Sequence, residues 1–291
     1  MKKTKHHIIS EVYQKNFIGD DDKIYYLMPT NKIIQSSPVN MLKEEHYNTV
    51  KGSLFIEDIF SNIEGYYGPI VEKIKEKGVI TKDEKIVLAI YTSIIFNRNK
   101  IRRDKMKEFA ENIVNKFSNI EEKNDSECSG DDNIDNSDYG DGNAISLDDF
   151  KKSYKNFKEV FAVSSMNVSL DVWQIIYQMN WRFLFCPAGH VFLSSDNPVN
   201  LCRSLAEEKY GFGSYGAVAG LKHKDVELTF PLTKNIALLA GWINSDDLSY
   251  IDVPSNFVNE INYRTVRSAE VVFSEDKQLL EAILSDSISS N

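Results

Sequence analysis

The apolar residues of this chain keep one period in the middle and another towards both ends, and that change of period limits the folds open to it. From Leu54 to Lys77, Phe55, Ile59, Ile63, Tyr66, Ile70 and Ile74 recur at spacings of three and four, a stripe along one helical face. Gly65, Gly68 and Pro69 interrupt the stripe and predict a kink or a break there. Thr81 followed by Glu84 has the reciprocal N-terminal capping pattern, and from Lys82 helical spacing continues through Val87, Ile90, Ile94, Ile101, Met106 and Ile113 to Phe117. Leu147 to Phe161 and Ser169 to Met179 read as two further helices.

On either side of this block the runs are β-rich. Lys23 to Met28 and Lys32 to Gln35 flank Pro29-Thr30-Asn31, which predicts a hairpin. Trp181 to Cys186 and His190 to Ser194 flank Pro187, Ala188 and Gly189 and predict a second one. Val226 to Phe230 and Asn235 to Trp242 are strands on either side of Pro231-Leu232-Thr233-Lys234, followed by a helix over Asn256 to Ala269 and a closing strand, Glu270 to Phe273. Strands, then helices, then strands argue for an α+β fold rather than alternating βαβ units. The expected architecture is one domain over residues 1–291. In it a helical block packs against a mainly antiparallel sheet formed by the N-terminal hairpin and the C-terminal strands.

Charge is unevenly placed. Residues 118–146 hold nine acids against Lys123 alone, so they carry -8 of the formal net charge of -9, and the remaining chain is close to neutral. An excess of acid therefore does not exclude a nucleic-acid partner. The segment is rich in Asn, Ser and Gly and too poor in apolar residues to offset its ordering entropy, which predicts a flexible acidic insertion. A calcium loop starting at Asp131 is disfavoured because Asn136 stands where the turn glycine belongs and Gly142 where the bidentate Glu belongs. Three cysteines without close or repeated spacing form neither a disulfide framework nor a four-thiolate zinc site, which makes a reducing cytoplasm the expected compartment. No stretch approaches the roughly 18 apolar residues that span a bilayer, so no membrane is expected as a partner. Phosphate-cradling, dinucleotide, zinc-peptidase and nucleophile-elbow motifs are all missing.

Three segments could carry chemistry. His6 and His7 lie side by side, with Lys15 and Asn16 shortly after. Neighbours in a strand face opposite ways, so the two imidazoles do not serve one centre: one of them is the candidate, and the alternative is that one His is exposed and the other a hydrogen-bonded core residue. Val191 to Asn200 is an apolar strand ending in Ser195-Asp196-Asn197-Pro198, where Asp196 is a candidate ligand, base or orienter of a His. The alternative is a turn in which Asp196 and Asn197 satisfy backbone donors. In the long helix, Arg98 and Arg102 are four apart and share a face that could fork to phosphate or lie solvated. Glu64, between Ile63 and Gly65, requires a partner if buried, with Arg98 or a His as the candidate.

Taken in order, His6-His7-Ile8-Ile9, Lys15-Asn16-Phe17, Ile63-Glu64, Phe96 to Arg98, Leu193 to Val199 (LSSDNPV), Phe230-Pro231-Leu232-Thr233 and the helix from Asn259 to Ala269 resemble the bacterial family of unknown function numbered 4238. Its members begin HHxxP, reach NF, and later carry SDNPV and FPL. Ser10 stands here where the family has Pro, which predicts a loosened bend after the histidines. The resemblance covers nearly the whole chain outside the acidic insertion and directs attention to His6, His7, Asn16, Glu64, Arg98, Asp196 and Asn197 without naming a substrate. Two readings follow. One is a hydrolase, a nuclease acting on nucleic acid, with a His as general base or as ligand of a divalent metal, Asp196 as its orienter, Arg98 neutralising phosphate, and Asn16 or Asn197 positioning substrate. The other is a non-catalytic sensor or partner-binding protein, in which the same residues form a buried network fixing the N-terminal arm to the sheet.

Overall fold

A computed structural model of the chain describes residues 5–48, 50, 52–127, 152, 156–203, 220–242 and 248–289. The fold is α+β. The N-terminal part contains β1 (Lys5–His7), α1 (Glu11–Gln14), β2 (Tyr25–Met28), β3 (Lys32–Gln35) and β4 (Lys43–Glu45). The helical block is α2 (Phe55–Lys75), α3 (Lys82–Arg98), α4 (Lys100–Glu127) and α5 (Phe157–Gln178). There follow β5 (Asn180–Phe185), β6 (Ser194–Ser195), β7 (Asn200–Arg203), β8 (Val226–Thr233), β9 (Ile236–Gly241), β10 (Leu248–Asp252), α6 (Ser255–Arg267), β11 (Val272–Ser274) and α7 (Lys277–Ser289).

The strands form three sheets rather than the single one expected. β1 and β4 make an antiparallel ribbon, a five-stranded sheet runs β10-β5-β9-β8-β7, and a four-stranded sheet runs β3-β2-β11-β6. The β2/β3 hairpin turns where expected, with Asn31 left-handed at φ 58°, a conformation its short polar side chain tolerates. It meets the C-terminal strand β11, so only this sheet joins the two ends as anticipated. The hairpin expected over 181–194 does not form: β5 pairs with β9 and, in parallel, with β10, while β6 crosses to β11. β8 continues through Pro231 to Thr233, accommodating the proline at a register shift.

The helices also depart from their expected limits. α2 passes through Pro69 as one helix, because Tyr67 between the glycines and Ile70, Val71 and Ile74 beyond them are packed in the core. Of the expected stripe Ile70 and Ile74 are buried, whereas Phe55 and Tyr66 face out and Ile56, Phe60, Tyr67 and Val71 are buried as well. The Thr81/Glu84 capping box is present. The long helix breaks at Asn99, whose extended backbone starts α4 and whose Oδ1 accepts the Arg102 N–H at 2.8 Å. α5 is one helix across 162–168, where Ser165 and Ser169 turn their hydroxyls back to helix carbonyls. Residues 118–127 of the acidic stretch are the last turns of α4, and the rest of it lies outside the described residues.

α3 is buried on nearly every side, with Leu88, Ala89, Tyr91, Ile94, Ile95 and Phe96 all inside. It packs with α2 and α5 over the five-stranded sheet, whose Trp181, Phe183, Leu228, Phe230 and Leu238 complete the main core. α6 seals the opposite face of that sheet with Val258 and Ile261 against Leu184, Ala237 and Leu239. The N-terminal arm enters the main core between these layers. Ile9, Tyr13 and Phe17 are fully buried there, each removing apolar area worth roughly 2–3 kcal/mol.

Candidate functional site

The arm organises the polar residues. In the β1/β4 ribbon the side chains alternate, so His6 is buried while His7 is half-buried. His6 Nδ1 accepts the backbone N–H of Asn48 at 3.0 Å, which places the ring proton of the neutral imidazole on Nε2. Glu57 Oε2 lies 3.9 Å from the same nitrogen and is itself held by Asn48 Nδ2 at 2.6 Å. With that backbone donor on Nδ1, the Glu57 contact is not an ion pair.

Beyond the histidines the arm turns into α1 at Ser10. Its Oγ accepts the Tyr13 N–H at 3.2 Å and lies 3.4 Å from the Tyr91 hydroxyl. Ser10 sits at φ -60°, ψ 147°, angles a proline also adopts, so the bend is retained and a helix cap replaces the ring expected to stiffen it. Arg98, 2 % exposed at the end of α3, donates from one terminal nitrogen to the carbonyls of Ile8 at 3.2 Å and His7 at 3.4 Å. Its guanidinium covers the Phe60 ring at 4.2 Å and stands 3.8 Å from Glu64 Oε1. The Glu64 side chain keeps 21 % exposure. Burial, with a smaller contribution from the Glu64 charge, pushes the Tyr91 phenol far above its usual range, so Tyr91 is a neutral hydroxyl here. Arg102 does not join Arg98. The break at Asn99 puts it on the next helix, over the Phe96 ring at 3.7 Å and bonded to Asn97 Oδ1 at 3.1 Å.

The far end of the arm meets the later motifs. The Tyr13 hydroxyl donates to the Pro231 carbonyl at 2.6 Å and lies 2.6 Å from Ser194 Oγ. Tyr67 donates to the Leu232 carbonyl at 2.7 Å, and the Tyr67 and Tyr91 rings stack at 4.3 Å. Asn16 closes α1, donating from Nδ2 to the Val12 and Tyr13 carbonyls at 3.2 and 3.3 Å, while its own carbonyl accepts the Lys234 N–H at 3.0 Å. Ser10, Tyr13, Tyr67, Tyr91 and Ser194 are absent from the sequence-derived set. Ser10 and Ser194 stand inside quoted motifs, but a hydroxyl carries no mark of its distant partner.

Asp196 and Asn197 belong to a different set of bonds. Asp196 Oδ1 accepts the backbone N–H groups of Glu270 and Val271 at 3.1 and 3.2 Å. Burial raises its carboxyl to about 6, against the pull of those two amides. Asn197 Nδ2 donates to the Ser268 carbonyl at 2.9 Å. The pair therefore ties the β6 edge to the turn between α6 and β11, and Lys100 on α4 reaches the same turn through Glu270 at 3.1 Å. The contacts bring His7, Ser10, Glu64, Tyr91 and Arg98 together at the arm. They take His6 towards Asn48, and Asp196 and Asn197 towards residues 268–271.

The segments around His7, Glu64 and Arg98 and around Tyr13, Ser194 and Pro231 thus meet at the arm, whereas Asp196 and Asn197 do not. The family model described as "Protein of unknown function (DUF4238)" matches residues 5–278. The chain belongs to the DUF4238 family. No curated protein and no solved structure matches it. In this DUF4238 member no group of three His, Cys, Asp or Glu side chains among the described residues could hold a metal ion. None of its described helices is long and apolar enough to cross a membrane.

Proposed function

We propose that this DUF4238 protein is a non-catalytic binding or sensing protein, cytoplasmic and bacterial, whose motif residues lock the N-terminal arm into the core. The observation that carries this reading is the use of the motif side chains on backbone groups: Arg98 on the His7 and Ile8 carbonyls, Asp196 on the Glu270 and Val271 amides, Asn197 on Ser268. Side chains that bond backbone groups in this way position the chain.

A hydrolase, specifically a nuclease, is the second reading, and one observation favours it. Glu64 is partly open beside Arg98, and the half-buried His7 gives its backbone carbonyl to the same guanidinium, so an acid and a histidine share one cation. In that reading Glu64 or His7 moves a proton and Arg98 orients Glu64 instead of meeting phosphate. Incubation of the purified chain with DNA and with RNA, with and without divalent metal, separates the two. The expected result is no cleavage above buffer. Turnover that Glu64→Gln or His7→Ala abolishes, in a variant that still folds, would replace the binding reading with the hydrolytic one.

A further inference from the structure

We propose that the open edge of β4 is a self-association surface that pairs antiparallel with β4 of a second copy of this chain. Among the described residues β4 pairs only with β1, and a groove of about 560 Å³ runs beside it, lined by Lys5, Val39, Asn40, Lys43, Glu44 and Glu45. The Ile8 N–H donates to the Leu42 carbonyl at 2.7 Å, which makes these two a hydrogen-bonded pair. In an antiparallel ladder such pairs alternate with pairs whose backbone groups point outward. By the register Lys5↔Glu45, His6↔Glu44 and His7↔Lys43, the next bonded pair is His6 with Glu44. The N–H and C=O groups of Lys43 and Glu45 therefore face the open edge.

The strand Lys43-Glu44-Glu45 is complementary to itself. A twofold axis through Glu44 sets Lys43 opposite Glu45 of the second copy, and Glu45 opposite its Lys43. Both are outward-facing residues, so each pairing exchanges both of its backbone bonds and apposes opposite charges on one face of the new sheet. Glu44 meets its own counterpart on the other face. There Arg103 at 2.7 Å and Lys158 at 2.6 Å already balance it within each chain, which offsets the repulsion. A strand without the same alternation of charge leaves Lys43 or Glu45 facing no counter-charge, and that selects a second copy over an arbitrary peptide. The contact is isologous, so it closes at a dimer.

Sedimentation of the full chain over a concentration series tests this. The expected result is a monomer–dimer equilibrium that Lys43→Glu and Glu45→Lys each weaken by at least about tenfold, since each places like charges opposite one another twice. The two single variants mixed together regain the dimer, because each Glu at positions 43 and 45 then faces a lysine, and the double exchange K43E/E45K regains it alone. A wild-type chain that stays monomeric at every concentration overturns the proposal. So does a dimer indifferent to either single exchange, or a mixture of the two variants that stays monomeric.

Discussion

Asp196 shows how a single buried carboxyl sets a pH response. Its folded value of about 6 lies above the ordinary 3.8, so the native state holds the proton more tightly than the unfolded chain does. The stability contributed by that proton is complete below 3.8 and lost as pH rises through about 6, a span worth about 3 kcal/mol. In Asp196→Asn the amide oxygen still accepts from Glu270 and Val271 but no longer titrates. The melting temperature of the wild type should therefore fall relative to that of Asp196→Asn as pH rises from 3.8 to about 6, and their difference should stay constant at higher pH. A difference that does not vary over that window would show that Asp196 titrates normally. Arg98→Ala removes two carbonyl contacts, the cover over Phe60 and the neighbour of Glu64; urea unfolding should show a loss of roughly 2–4 kcal/mol. A loss below about 1 kcal/mol would return Arg98 to the class of solvated cations.

Elements were legible where a local rule is strong. The β2/β3 hairpin follows from Pro29 and Asn31, and the start of α3 from Thr81 and Glu84, since turns and caps close within a few residues. The break at Asn99 was not legible, because Ile94, Ile95 and Ile101 keep helical spacing across it and a one-residue interruption barely disturbs a stripe. Asn99→Ala should cost about 1 kcal/mol of thermal stability by releasing the Arg102 N–H, and an unchanged melting temperature would mean that water replaces the cap. The separation of β5 from β6 was equally hidden. Pro187 and Gly189 allow a hairpin, and only the pairing of β5 with β9 and β10 decides against one.

At the scale of the whole molecule, the α+β class follows from the order of the periods, whereas the division into three sheets depends on pairings between distant strands that no window of sequence contains. The candidate site was legible to a similar extent. Arg98 next to Glu64, and a division of labour between His6 and His7, follow from residue type and strand alternation. Nothing in the sequence marks the hydroxyls of Tyr13, Tyr67 and Tyr91, whose partners lie far along the chain. The bond from Tyr13 to Pro231 spans 218 residues and that from Lys234 returns to Asn16. The arm therefore cannot take its place in the core before the chain has been made through β8. Ile9, Tyr13 and Phe17 leave the ribosome long before β8 exists to receive them, and a nascent chain stalled ahead of Pro231 presents their greasy surface to whatever chaperone is at hand.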